Sequence, residues 1–382
     1  MRLVYVSHSF PPTGRPMANL GGMQRVATEL YDALAARGDL DLTPIVLRTS
    51  WATTHARIPY FLPYAALRLL RLSQSGPPGV VLYSSMVTAW TAPFVGARLR
   101  ARGWRLAAIT HGLDVTTPVA AYQRRVVPRV FGSLDAVLPI SHATAGACLA
   151  RGADAARVVV VPNGVAVGRF GPASADERVG LRRALEPLTG TLEPGALVLL
   201  SVGRHVRRKG FAWFASEVVP RLPRRVVWVL TGEGPETDAI RAAVATHRIG
   251  NRVRLVGKVG EDALVRLYRA ADLFVMPNRP VEGDMEGFGV VMLEAGLAGT
   301  PTLGANLEGI PDVITPGENG LLVPSGDADA FVRTLAALDA DRTRLSALRA
   351  TTAATTRERF SWNAVAGRYA AVLRSLGAGE AA

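Results

Sequence analysis

An alternation of short apolar runs with helical patterns, occurring twice along the chain, constrains the fold more than any other feature. In the first half, strands are predicted at 3–7, 42–47, 80–83, 105–110, 136–140 and 157–161. Helical patterns lie at 22–37, where Val26, Leu30 and Leu34 share a face at spacings of four, and around 64–73, 87–102, 119–132 and 142–151. The pattern restarts with strands at 198–202, 226–230, 253–256, 273–276, 300–303 and 320–323, again with helices between them. Such alternation argues for two doubly wound parallel sheets. The turn signal Pro162-Asn163-Gly164-Val165 separates the halves. Residues 171–195, with Pro, Gly and charge, read as a surface helix and loop. From Phe360 to Leu376 the tail reads as one amphipathic helix with Ser361 as its N-cap.

At 382 residues, two to three domains are expected. The start, Met1-Arg2-Leu3-Val4-Tyr5-Val6, is too soon interrupted for a signal peptide and reads as a first strand. No stretch of 18 uninterrupted apolar residues is present, so no spanning helix is expected. A single cysteine, Cys148, excludes an intramolecular disulfide and a cysteine-based metal cluster, and fits a reducing cytoplasm. His8, His55, His142, His205 and His247 do not cluster with acids at metal-ligand spacing, so no metal is expected. Charge is uneven: residues 1–165 hold 17 Arg, no Lys and 7 Asp or Glu, a formal +10 of the total +13. A basic first half suggests an anionic partner near it. High Arg usage alone would explain the missing lysines but not the missing acids.

The chemistry concentrates in residues 278–301. An apolar run ends at Met276; glycines and acids follow, and then a helical run from Val290 to Ala295. A strand feeding a Gly-rich loop and a helix is a common anion site, because free N–H groups at the helix start point at the anion. Glu286 sits before that helix. Glu294 lies inside it, six residues and about 9 Å beyond Phe288. A phosphate on the helix start could thus have a carboxylate on either side of it, which is the layout of a sugar–diphosphate–nucleoside. A second stretch, Gly203-Arg204-His205-Val206-Arg207-Arg208-Lys209-Gly210, follows a strand. It places Arg204 and Lys209 where open α/β sheets bind ligands, and two cations there can neutralise a diphosphate. Alone it reads equally well as a solvated basic turn. Arg207 and Arg208 are read as surface charges.

These motifs resemble the retaining glycosyltransferases of family 4, which carry two glutamates at this spacing and the same Gly-Arg…Lys-Gly arrangement. The resemblance implies an α/β GT-B fold, two Rossmann-like domains facing across a cleft: 1–165 on the acceptor side, 166–358 for the nucleotide sugar, and 359–382 a helix crossing back. It implies that Arg204 and Lys209 contact donor phosphates, Glu286 the sugar hydroxyls and Glu294 the ribose. Gly287, Phe288 and Gly289 form the helix start against the leaving diphosphate, and the backbone at Val259 meets the base. Gly21 and Gly22 approach the donor phosphate, and His111, at a strand end, lies near the reacting sugar. The Gly232-Glu233-Gly234 turn resembles the one behind the nucleotide, although a structural turn fits nearly as well.

The reaction implied is transfer of a hexose from a UDP- or GDP-sugar to a glycan, glycolipid or polysaccharide precursor, with no cofactor and no nucleic-acid partner. A nucleotide-sugar 2-epimerase of the same architecture is the alternative. A dinucleotide oxidoreductase lacks its three-glycine fingerprint here, and a non-catalytic scaffold is disfavoured by the intact Arg204, Lys209, Glu286 and Glu294. Two basic-aromatic stretches, 57–72 and 122–129, suit weak peripheral binding to an anionic inner membrane face. Ordinary packed helices with solvated arginines are slightly favoured for each. The loop at 8–20 is read as an acceptor-side lid.

Overall fold

The structure is a computed structural model, and it describes residues 1–14 and 22–379. The chain forms two compact units: Met1–Val165 with Phe360–Ala382, and Ala166–Arg359. Residues 15–20 of the expected loop at 8–20, and Gly21, lie outside the described residues.

The first unit is built on five parallel strands: β1 (Arg2–Phe10), β2 (Asp41–Arg48), β3 (Val80–Tyr83), β4 (Arg105–Thr110) and β5 (Ala136–Pro139), in the order β2-β1-β3-β4-β5. Every residue of β3 and β5 is buried, as strands covered by helices on both faces must be. The chain leaves β1 first to one side of it, to β2, and then returns to the other side, to β3. The carboxyl ends of β1 and β3 therefore open where the connections diverge, which is where open α/β sheets hold ligands.

Several local expectations change. No strand forms at 157–161; that extended segment makes a single bridge, Val137 to Val158, and donates from Val159 and Val161 to the backbone of β5. The helix expected from 64 is Trp51–Leu72, because Pro59 and Pro63 lie within it instead of ending it. Both prolines are on its exposed face, where a missing helical hydrogen bond costs least. The helix expected at 87–102 breaks into Met86–Ala89 and Ala92–Arg100, the second with a proline in its first turn. The 119–132 pattern becomes a π-turn, Tyr122–Val126, running into the helix Val127–Gly132.

The second unit holds six parallel strands: β6 (Leu197–Val202), β7 (Val226–Thr231), β8 (Val253–Gly257), β9 (Leu273–Met276), β10 (Thr302–Asn306) and β11 (Gly320–Pro324). Their order is β11-β10-β9-β6-β7-β8, so here the divergence falls between β6 and β9. On one face Trp228 lies edge-on to Phe214 at 5.0 Å, and Phe214 meets Phe331. Below them Trp228 Nε1 donates to Ser201 Oγ, which donates to the Val275 carbonyl, tying β7, β6 and β9 together. The stretch expected to be a surface helix carries one at Ala175–Ala184, with a capping box between Ser174 and Glu177.

The last helix, Trp362–Ala378, belongs to the first unit. Ser361 caps it by accepting from the Ala364 amide. Its buried face, Val365, Ala366, Tyr369, Ala370 and Leu373, packs against the helix Gly22–Ala35 and against β3 and β4. Trp362 Nε1 donates to Glu29, and a Cβ on Gly164 would meet the Trp362 ring at 2.4 Å, so only glycine allows that approach.

Candidate functional site

In the second unit the site is built from the loops after β6 and β9, the two strands that flank the divergence. After β6 the chain turns at Gly203 (φ 148°) and closes a short 3-10 turn, Arg207–Lys209, on Gly210 (φ 66°). A Cβ at Gly210 would sit 2.0 Å from the Pro277 carbonyl in the β9 loop, so a side chain there would force the two loops apart. This turn carries Lys209 inward. Lys209 is 5% exposed, and its Nζ lies 2.5 Å from Glu286 Oε2; Glu286 is itself 7% exposed. Asn278 Nδ2 donates to the same carboxylate oxygen at 3.1 Å, and Arg208 Nε lies 3.6 Å from it. Burial alone would raise the Glu286 carboxyl. The charges of Lys209 and Arg208 and the hydrogen bonds of Lys209 and Asn278 outweigh it and hold the group below the ordinary carboxylate range. Glu286 is therefore a buried carboxylate kept ionised.

A third carboxylate completes the loop. Glu308, after β10, accepts from the Glu286 backbone amide at 2.5 Å and adopts a left-handed φ of 51°. Burial, with Glu286 beside it, raises its carboxyl. Nothing in the sequence reading pointed to Glu308; a non-glycine residue in that backbone region has no sequence signature. Its neighbour Gly309 lies so close to the Gly287 carbonyl that a Cβ would meet it at 2.2 Å.

The expected helix start is present: Gly289 (φ 82°) precedes the helix Val290–Leu297, and Phe288 beside it is buried. Glu294 lies in that helix. It is 4% exposed and accepts from the Tyr268 hydroxyl at 2.8 Å, so it is no solvated helix residue. Tyr268, from the preceding helix Glu261–Ala270, is a second site residue that sequence reasoning missed.

The structure brings Lys209 and Glu286 together but leaves Arg204 exposed, and its side chain makes no hydrogen bond or ion pair among the described residues. The cation that joins them is Arg208, which was read as surface charge; it pairs with Asp284 at 3.3 Å as well as with Glu286. The 3-10 turn is the reason, since it rotates positions 208 and 209 inward and leaves 204 before the turn. Val259 is half-buried in the connection from β8 to the next helix. The Gly232-Glu233-Gly234 turn has a structural role. A Cβ at Gly232 would meet the Gly203 carbonyl at 2.0 Å, and one at Gly234 the His205 carbonyl at 2.4 Å. Buried His205 ties the same turn through Thr237, 2.9 Å from its Nδ1. His205 Nε2 and Asn278 Oδ1 are buried with no hydrogen-bond partner among the described residues, and Asn278 leaves that polar capacity beside the pair.

In the first unit, His111 follows β4. Its backbone amide donates to Asp114, and its Nε2 lies 2.9 Å from the Ser84 carbonyl after β3. A carbonyl only accepts, so Nε2 is the donor in this contact. His8, at the end of β1, was not singled out, although the strand-end argument that selected His111 applies to it equally. It is 6% exposed, with Ser9 and Ser85 hydroxyls each 3.4 Å from its ring nitrogens. Burial, reinforced by His111 and His55, lowers it to about 4, so it is neutral. Gly22 opens the helix Gly22–Ala35. Cys148 is buried, and burial pushes its thiol up to about 12, so it is an inert core residue.

Two family descriptions match this chain: "Glycosyltransferase Family 4" over residues 20–169 and "Glycosyl transferases group 1" over 196–341. A Mycobacterium tuberculosis protein named GDP-mannose-dependent alpha-(1-6)-phosphatidylinositol monomannoside mannosyltransferase is 30% identical over 275 residues, 71% of this chain and 69% of its own. This chain belongs to glycosyltransferase family 4. A D-inositol 3-phosphate glycosyltransferase of Streptomyces bingchenggensis is 31% identical over 298 residues, 74% of this chain and 61% of its own. In fold, the family-4 enzyme is similar to Anabaena HepE, crystallised in complex with UDP: TM-score 0.74, 17% identity, covering 98% of this chain and 100% of that one. The fold is GT-B, and the protein is a nucleotide-sugar-dependent glycosyltransferase of the hexosyl-transferring class. The 2-epimerase alternative finds no support in these relatives.

Proposed function

We propose that this transferase moves a hexose, with retention of configuration, from a UDP- or GDP-sugar to a glycan or lipid-linked acceptor at the cytoplasmic face of a membrane, without a metal. The observation that carries this reading is the buried Lys209–Glu286 pair beside the Gly289 helix start. A diphosphate leaving group gains negative charge as the glycosidic bond breaks. Lys209, with Arg208 and Arg204 in reserve, and the amides at the start of the helix Val290–Leu297 would stabilise that charge without a divalent ion. Among the described residues no cluster of histidine, cysteine and acids could hold one. Glu286, held ionised and engaged by Lys209 and Asn278, suits a partner for sugar hydroxyls better than a free nucleophile. That supports front-side attack by the acceptor on the departing donor. The name of the mycobacterial relative makes GDP-mannose the first donor to test.

The test is a panel of nucleotide sugars screened for thermal stabilisation, followed by transfer assays in chelator. A specific donor should raise the midpoint by mass action, and transfer should persist in EDTA. Activity lost in chelator and restored by magnesium or manganese would sink the metal-free mechanism. Isomerised donor without acceptor would sink transfer itself.

A further inference from the structure

The two basic-aromatic stretches, apart in sequence, become the walls of one apolar groove. Ile58, Pro59 and Leu62 of the helix Trp51–Leu72 line it together with Val119, Tyr122 and Val126, and Trp90 is also in the lining. The groove encloses about 780 Å³ and is overwhelmingly carbon-lined. A smaller hollow of about 160 Å³, with Phe94 on its wall, shares Trp90, Arg125, Val126 and Arg129 with it. The apolar surface continues outward: Tyr60 is 82% and Phe94 76% exposed. A soluble surface rarely leaves large apolar side chains grouped like this unless something covers them.

Charge says what that is. Arg125 and Arg129 line the groove, and neither forms an ion pair among the described residues. The one acid in the lining, Asp114, is already engaged by the backbone amides of His111 and Met86. Two unpaired guanidiniums above a carbon-lined hollow match a molecule with a hydrocarbon chain and a phosphate head. A polar glycan would leave the hollow wet, and an acidic peptide would leave it unfilled.

We propose that this groove holds the hydrocarbon chain of a phosphate-headed lipid, with Arg125 and Arg129 on the phosphate. Only the further statement that this lipid is the sugar acceptor rests on the transferase reading above. The groove lies beside Asp114, three residues from His111, so a lipid seated there brings its head to the loops at the carboxyl end of this sheet.

The experiment uses the full chain and 12-bromododecyl phosphate below its micellar concentration, with no nucleotide sugar present. Bromine quenches tryptophan on contact, so saturable quenching is expected. It should vanish in Trp90→Phe and shift at least tenfold to higher concentration in Val119→Glu, an exposed position where folding is not at risk. Shortening the chain should weaken binding about fourfold per methylene. The double change Arg125→Glu with Arg129→Glu should weaken the phosphate probe at least tenfold but leave 12-bromododecanol unchanged. Absence of quenching, or quenching that survives Trp90→Phe, would overturn the proposal, because the chain would then be absent or elsewhere. Equal binding of all chain lengths would overturn it in favour of a headgroup contact alone. A donor panel that fails while quenching succeeds would overturn the acceptor assignment and leave the groove standing.

Discussion

The two glutamates of the second unit do different work, and they should fail differently. Glu294 is proposed to hold ribose, present unchanged before and during reaction. Glu294→Gln should weaken free nucleoside diphosphate and donor alike, by the roughly 1.5–3 kcal/mol of a charge-assisted hydrogen bond, or about one to two decades. Glu286 is proposed to face the transferred sugar, and it competes for Lys209 in the free enzyme. Glu286→Gln frees Lys209, so it should leave nucleoside diphosphate binding no weaker while lowering turnover. Calorimetry on both variants decides it; equal weakening would mean that the roles are misassigned. In the first unit, His8 gives a pH signature. Its folded value near 4 lies below the usual 6.5, so the unfolded state takes up its proton first as pH falls. The stability is fully present above 6.5 and drains away between 6.5 and 4, by up to about 3 kcal/mol. His8→Gln should flatten the fall in denaturation midpoint between pH 7 and 5; an unchanged slope would mean that other groups carry it.

At the scale of elements, the helix Trp51–Leu72 presents three kinds of surface at once. Phe61, Ala65 and Leu69 are core, while Tyr60, Tyr64 and Leu67 are exposed apolar residues beside exposed Arg57, Arg68 and Arg71. Apolar side chains with interleaved arginines favour an anionic bilayer surface at low salt. Vesicles containing anionic lipid should sediment the protein at low ionic strength. Arg68, Arg71, Arg124 and Arg125 changed to Glu should release most of it, at about 1 kcal/mol per charge. If the protein stays in the supernatant with either sequence, the arginines are only solvated surface.

For the molecule as a whole, the C-terminal helix is a structural part of the N-terminal unit although nearly two hundred residues separate them. Tyr369 is fully buried in its packed face, so Tyr369→Ala should cost the first unit about 3–5 kcal/mol. Hydrogen exchange should then rise in β3 and β4 and stay unchanged in β6 to β11. A uniform rise through both sheets would show that the two units unfold as one.

By itself, the sequence determined the two doubly wound sheets, most strand positions and the strand ends that the candidate site residues follow. Those follow from local causes: buried strands are continuous apolar runs, and ligand loops must follow strand ends. That reasoning placed Lys209, Glu286, Gly289 and His111 after strand ends, and the structure has each of them there. What only the tertiary structure decided depends on where separate loops meet. Arg208, read as a surface charge, reaches Glu286 because a 3-10 turn carries it inward. Glu308 and Tyr268 joined the site from other elements, with no periodicity or motif to announce them. The helix expected from 64 begins at Trp51, because tertiary packing keeps Pro59 and Pro63 on its exposed face. The groove needed residues about sixty positions apart to face one another, and no pattern along a chain specifies which of its apolar faces will be left open.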